Sequence, residues 1–315
     1  MIPDVLRKQL NSLFMIYRDT GKKNIFIFST PRSGSTWLME LLATQPGYKY
    51  ENEPLDIRIP FKRKYLGVDS WTELYNNSAK EKIYNFLELK CKGKLHYTSQ
   101  LHQPYFSPIV NAFIFKILHC CEDKINEIAA NFNGEIIFLI RHPIPVSLSR
   151  KVHPRLNAFI ESDFKLNFSE EQLIFSKRII EEGSNLEKAM LSWCLQNYVP
   201  LKSMNKKWTL LTYEQMVLEP EVVINHLKNR LGLSHMERIE KRLSKPSGST
   251  NQSNSATKEV LAGNEIKQRK EYLINKWKKE INSHETEILM EMMNVFGLDI
   301  YKGYDALPDK KYWIK

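Results

Sequence analysis

The stretch Ile25-Phe26-Ile27-Phe28-Ser29-Thr30-Pro31-Arg32-Ser33-Gly34-Ser35-Thr36-Trp37-Leu38 constrains this chain more than any other. Its apolar run predicts a strand over 24–29. Trp37, Leu38, Leu41 and Leu42 recur at helical spacing and predict a helix over 35–45. Small side chains at Ser33, Gly34, Ser35 and Thr36 mark the turn between the two. Gly34 tolerates φ > 0, which lets the free N–H groups of the first helical turn converge on one spot. With the helix dipole behind them, such groups hold a phosphate-like anion. A strand, an anion-binding turn and a helix in that order commit the chain to an α/β fold with ligands at the carboxyl ends of its strands.

The turn departs from a Walker A loop. With Gly34 as the second glycine of G-x-x-x-x-G-K-[ST], Ser29 replaces the first glycine, Ser35 replaces the lysine, and only Thr36 fits. The positive charge falls instead at Arg32, inside the loop. A triphosphate with Mg²⁺ is poorly served by this arrangement, and an ester whose reactive group needs no metal is served well. A second apolar run predicts a strand over 136–140. It ends in Arg141, not in the Asp that holds Mg²⁺ in an NTPase. Pro143 suits the first turn of a following helix, which is expected to carry Ser149. Arg141 offers a phosphate a planar fork, and Ser149 offers a hydroxyl.

Together these segments resemble the sulfotransferase family that uses PAPS, 3′-phosphoadenosine 5′-phosphosulfate. Thr30–Leu38 is similar to that family's 5′-phosphosulfate loop, and Arg141 with Ser149, eight residues on, is similar to its 3′-phosphate site. Leu210-Leu211-Thr212-Tyr213-Glu214, followed by Pro220 and Leu231-Gly232-Leu233, resembles its adenine-side segment. Arg269-Lys270 with Trp277-Lys278 loosely resembles the segment that covers the 3′-phosphate, with Glu271 where the family has glycine. The resemblance runs from about residue 24 to 301 and is nearer the carbohydrate-type and bacterial members. It implies a three-layer α/β fold with a central parallel sheet and a P-loop-like phosphosulfate-binding turn. It also implies PAPS as co-substrate, PAP as product, and no metal. The nucleotide contacts it implies come from Arg32, Ser33, Gly34, Ser35, Thr36, Trp37, Arg141, Ser149, Tyr213, Arg269 and Lys270. Ser247 and Thr250 would add hydroxyls.

Sulfuryl transfer needs a base for the acceptor hydroxyl, in-line geometry and cations at the leaving oxygen. Glu53, in Glu51-Asn52-Glu53-Pro54-Leu55, is the expected base. Its Glu-Pro resembles the segment that carries the catalytic carboxylate in carbohydrate-type and several bacterial members. Glu51 is the fallback. His119 is the rival, because cytosolic members place Lys-x-His where this chain reads Lys116-Ile117-Leu118-His119, one residue longer. Residues three apart on a strand face opposite sides. If Lys116 faces the site, His119 is therefore expected to face away, unless a bulge intervenes. His102 is a weaker rival still. Lys116 ends the apolar run 112–115, a costly place for a charge without an anion partner. It is expected, with Arg32, to hold the charge of the sulfuryl group and leaving oxygen.

A chain of 315 residues, 42% hydrophobic, can bury the core of one large α/β domain, taken as spanning 1–315. The formal net charge of +10 favours anionic partners, but the lysines are scattered, so nucleic acid is not expected. The four cysteines (Cys91, Cys120, Cys121, Cys194) lack CxxC spacing and read as reduced thiols. With no run of transmembrane length and no signal-peptide core, they indicate a cytoplasmic protein.

Further strands are predicted over 112–118 and 208–212, and helices over 3–18, 70–90, 121–131, 185–204, 220–231 and 283–296. The first of these helices is amphipathic within an N-terminal segment 1–20. Residues 46–66 and 92–111 are expected acceptor loops, 152–183 a partly helical lid insertion, and 244–264 a mobile loop. The acceptor is read as a hydroxyl on a small molecule, carbohydrate or lipid; the sequence leaves its identity and the oligomeric state open. Two other readings compete. A P-loop kinase lacks its lysine and its strand-end Asp here, and a basic nucleic-acid-binding protein leaves both strand-end motifs unexplained. The hydrolase signatures G-x-S-x-G and H-E-x-x-H are absent.

Overall fold

Five strands, β2 (Asn24–Ser29), β3 (Tyr48–Asn52), β5 (Ala112–Ile117), β6 (Gly134–Ile140) and β7 (Trp208–Thr212), pair in parallel in the order β3-β5-β2-β6-β7. A separate two-stranded parallel pair joins β1 (Ile16–Tyr17) to β4 (Ile109–Val110). The computed structural model describes residues 4–95, 103, 105–150, 155–243, 245 and 266–314. Within them the helices are α1 (Asp4–Leu13), α2 (Ser35–Leu42), α3 (Pro60–Leu66), α4 (Trp71–Tyr75), α5 (Lys80–Cys91), α6 (Ile125–Asn131), α7 (Pro143–Leu148), α8 (Leu156–Glu161), α9 (Glu170–Glu182), α10 (Asn185–Ser203), α11 (Tyr213–Leu218), α12 (Pro220–Leu231), α13 (Met236–Leu243), α14 (Ile266–Asn275) and α15 (Ser283–Val295).

Alternation along the strands divides the core into two. Phe26, Phe28, Phe113, Phe115 and Phe138 pack on the face covered by α5, α6, α10 and α15. Ile25, Ile27, Ile114, Ile137, Leu139 and Leu211 pack on the face covered by α2, α12 and α13. Because helices cover both faces, the central strands read as unbroken apolar runs. The expected three-layer α/β fold with a central parallel sheet is what the chain adopts.

Several elements differ from expectation for identifiable reasons. The N-terminal helix stops at Leu13, not 18: Lys49 Nζ donates to the carbonyls of Asn11 and Phe14 (2.8 Å to the latter), and the chain then enters β1. The helix read over 70–90 breaks at Asn76, whose side chain accepts from Asp163 N (3.0 Å) while Asn77 N donates to Asp163 (2.9 Å). The segment 46–66, read as a loop, contains edge strand β3 and helix α3. Its strand signal was hidden because Lys49 and Glu51 are charged yet buried against distant partners. The helix read over 121–131 starts only at Ile125, since Cys120 (φ 65°) and Cys121 (φ 69°) are left-handed. Residues 155–183 are largely helical and pack on α10 and α15, with the Phe168 ring 5.6 Å from Tyr198 and 6.2 Å from Phe296. Residues 152–154, most of 244–264, and with them Ser247, Thr250 and His102 lie outside the described residues.

Candidate functional site

Every strand of the main sheet delivers something to the same edge. The turn Thr30–Gly34 follows β2, Glu53 follows β3, Lys116 and His119 lie at the end of β5, Arg141 follows β6, and Tyr213 follows β7. This is the carboxyl edge, where open α/β sheets bind ligands. Among the described residues, five non-glycine positions have φ > 0, and four of them surround this edge: Arg32 (74°), Glu53 (53°), Cys120 and Cys121. Each costs of the order of 1–3 kcal/mol, so the surroundings must enforce it.

The anion turn is built as its residues require. Gly34 has φ 90° and ψ 6°, leading directly into α2. The Thr30 and Ser33 hydroxyls meet at 2.5 Å and close the turn from inside. Ser33 and Ser35 are buried, Thr36 and Trp37 half-buried, and the Arg32 side chain exposed. A Cβ on Gly34 would lie 2.6 Å from Cδ2 of Tyr213, so the ring of the first residue of α11 rests on the glycine. The Arg141 guanidinium carbon lies 4.1 Å from the centroid of that ring. Arg141 Nη1 donates to the Arg32 carbonyl (3.0 Å), and the Arg141 carbonyl accepts from Trp193 Nε1 (3.0 Å). Its Nε is buried with no partner among the described residues. Ser149 is the C-cap of α7, and its hydroxyl donates to Val146 O (2.9 Å).

Lys276 was not read from the sequence. Burial lowers its pKa first, and the charges of Arg141 and Arg32 lower it further, with Glu280 opposing. Three cations thus converge beside the turn, which is the electrostatics of an anion site. Arg269 is half-buried on α14, and Lys270 Nζ donates to the Leu218 carbonyl at the end of α11 (2.8 Å). Gly34→Ala should lower stability by at least about 1–2 kcal/mol, because a left-handed alanine is strained and its methyl meets Tyr213. PAP affinity should fall with it; thermal melts with and without PAP measure both.

Buried polar groups lock the ends of β6 and β7. Glu214 accepts from His142 N (3.0 Å) and from the Tyr301 hydroxyl (2.7 Å). The His142 ring caps α7 through Ile144 N (3.2 Å) and stacks on Trp277 at 4.8 Å. Burial pushes His142 down to about 3. Burial and then the Arg155 charge push His119 down to about 4, against the pull of Glu53. Both folded values lie below that of an unfolded histidine, so the unfolded chain binds more protons. Stability should therefore fall as pH drops from about 6.5 toward 4, by about 1.4 kcal/mol per pH unit for each imidazole. A Tm that stays flat across that window would contradict the neutral burial of these rings.

On the other side of the edge stands a carboxylate flanked by cations and an imidazole. Glu53 Oε1 lies 3.0 Å from Lys116 Nζ, and Oε2 lies 3.2 Å from His119 Nε2 and 3.7 Å from Arg58. Lys116 also donates to the Thr36 hydroxyl (3.1 Å). Burial alone would raise the Glu53 pKa. The His119 hydrogen bond and the Lys116 charge outweigh it and hold the carboxyl far below the usual range. The expectation that Lys116 and His119 face apart is corrected here. β5 ends at Ile117, and the left-handed pair Cys120-Cys121 turns the chain back, so the alternation rule no longer applies at His119. The Tyr75 hydroxyl accepts from Cys120 N (2.9 Å) and holds that turn. The Trp71 ring lies 5.2 Å from that of His119.

Glu51 sits apart. It is fully buried on the opposite face of β3, ion-paired with Lys90 (3.0 Å) and Lys62 (3.3 Å), which removes it as the fallback base. Glu53, Asp56 and His119 place ligand atoms within 4.8 Å of one another. Protein cations already neutralise both carboxylates, since Arg58 binds Asp56 through Nε and Nη2 (2.8 Å each) and Lys116 binds Glu53.

Comparison with solved structures finds similar chains. The sulfotransferase domain from the curacin biosynthetic pathway is 18% identical, covering 87% of this chain and 96% of that one, with a TM-score of 0.43. The sulfotransferase domain from the Synechococcus PCC 7002 olefin synthase is 17% identical, covering 91% and 100%, with a TM-score of 0.42. Mouse sulfotransferase SULT7A1, complexed with PAP, is 16% identical, covering 91% and 87%, with a TM-score of 0.41. No curated protein matches the sequence. The family model of the sulfotransferase domain matches residues 22–302, from before β2 to beyond α15, and the chain therefore belongs to that family.

Proposed function

We propose that this sulfotransferase moves the sulfuryl group of PAPS to an acceptor hydroxyl in one in-line step, with Glu53 as general base. The observation that carries the reading is the position of Lys116. One ammonium touches both the Glu53 carboxylate (3.0 Å) and the first turn of the helix that follows the anion loop, at Thr36 (3.1 Å). The donor fits the residues present. Arg141, Arg32 and Lys276 gather positive charge beside the turn, and the buried Nε of Arg141 has no partner among the described residues. Arg32 to Trp37 would receive the phosphosulfate end, and Arg141 and Ser149 the 3′-phosphate. Tyr213 would pack beside the nucleotide, and Arg269 and Lys270 lie in the segment that would cover it.

When bound, PAPS supplies an activated sulfuryl group on a phosphate leaving group. Glu53 takes the proton of the acceptor hydroxyl, and its low pKa means that it is already ionised at neutral pH. Lys116 and Arg32 stabilise the charge that gathers on the transferring group and leaving oxygen. No covalent enzyme intermediate forms, so configuration at sulfur inverts. The acceptor is a hydroxyl on a small molecule, carbohydrate or lipid. The four free thiols accord with a reducing, cytoplasmic setting. Among the described residues, no helix is long and apolar enough to cross a membrane.

A second reading is favoured by the 3.2 Å contact between His119 and Glu53: the imidazole takes the proton and the carboxylate orients it. The donor assignment is tested by melting the protein in EDTA. PAP at about a hundred times its Kd should stabilise it by about 2.7 kcal/mol. No shift with PAP, or an equal shift with ATP and Mg²⁺, would overturn the reading.

A further inference from the structure

Glu53 is left-handed, with its backbone pinned on both sides. Its N–H donates to the Lys116 carbonyl (2.9 Å), which fixes it to β5. Its carbonyl accepts from Asp56 N (3.1 Å) and from Lys62 Nζ (2.7 Å). The same ammonium also takes the carbonyl of Asn52 (2.8 Å). One side chain therefore grips the carbonyls on both sides of the strained residue. Lys62 comes from α3, and its side chain is only 3% exposed. Its charge is balanced by Glu51 Oε1 at 3.3 Å, and Lys90 from α5 holds Oε2 of Glu51 at 3.0 Å. A surface lysine would have no need of this arrangement. A buried ammonium aimed at two main-chain oxygens fixes a conformation.

We infer that Lys62 is a positioning residue for the Glu53 carboxylate. Without it, residues 52–53 are free to leave the left-handed region, and the side chain swings off the line to Lys116 and His119. The inference rests on the reading of Glu53 as the group that deprotonates the acceptor or orients the imidazole that does.

The test compares Lys62→Met, Lys62→Arg and Lys90→Met. Lys62→Met should lower kcat about 10–100-fold, leave PAP Kd within twofold, and change the acceptor KM little. The acid limb of its kcat–pH profile should move up toward the ordinary carboxylate range, because Glu53 loses its cationic and imidazole contacts. Lys62→Arg keeps a donor to both carbonyls and should restore much of kcat even if Lys62→Met folds poorly. Lys90→Met should lower Tm by a similar amount yet retain kcat and the limb. Adding Lys62→Met to Glu53→Gln should cost little further turnover, since the group it positions is already gone.

Loss of kcat that tracks Tm equally at Lys62 and Lys90, an unmoved acid limb, or full additivity with Glu53→Gln would overturn the inference. Wild-type turnover by Glu53→Gln alone would instead remove the reading of Glu53 on which it rests.

Discussion

Replacing Glu53 by Gln should cut kcat by about 10²–10⁴ while leaving PAP affinity nearly unchanged. The substitution keeps the shape of the side chain and a carbonyl oxygen facing Lys116, and removes only the proton acceptor. PAP affinity is spared because the groups proposed to hold the nucleotide follow β2, β6 and β7, across β5 from Glu53. The wild-type profile should be flat through neutral pH, because both groups titrate below their ordinary ranges: His119 near 4, and Glu53 lower still. Stopped assays from pH 4 to 8 with saturating PAPS would show this. An acid limb near 6.5 would mean that an exposed histidine carries the step. Near-normal turnover by Glu53→Gln, beside an inactive His119→Ala that still binds PAP, would hand the proton to the imidazole.

Arg141→Ala should weaken PAP by roughly 2–5 kcal/mol, about 30-fold to several thousandfold, the worth of a charge-assisted pair in a desolvated site. Adenosine 5′-phosphosulfate lacks the 3′-phosphate and should lose far less. The residual loss has a structural source: Arg141 also packs over Tyr213 at 4.1 Å and donates to the Arg32 carbonyl, so its removal loosens the loop. Arg141→Lys separates the two effects by keeping charge without the fork. Titration calorimetry with both ligands gives the comparison. Equal weakening of the two would show that Arg141 does not read the 3′-phosphate.

What the sequence displayed and what it concealed divide along a physical line. The turn around Gly34 was legible because all of its requirements are local: small side chains, φ > 0 and an apolar strand ahead of it. Arg141 was legible as a charge directly after a buried strand. β3 was concealed because its strand character depends on distant groups. Lys49 finds carbonyls in α1 and beyond it, and Glu51 finds Lys62 and Lys90, so charges that read as loop are buried ion pairs. His119 was misplaced because strand alternation was carried two residues past the end of β5, into a turn held by the Tyr75 hydroxyl from α4. Lys276 escaped notice because the next residue, Trp277, is buried under His142; its ring sets how the segment docks, and sequence spacing does not disclose that.

The order of the strands has a consequence for biosynthesis. β5 lies between β3 and β2, although the ribosome makes it after both. β3 pairs with β5 alone, about sixty residues further along the chain, so for that interval the nascent strand has no legitimate neighbour. The open flank of β2 is then the nearest apolar edge. Glu51, facing the side of β3 that would lie against the phenylalanines of β2, makes premature annealing there expensive until its counterions Lys62 and Lys90 arrive from α3 and α5. A charge that hides β3 from a reader of the sequence thus also keeps its place in the sheet open for the strand that brings Lys116.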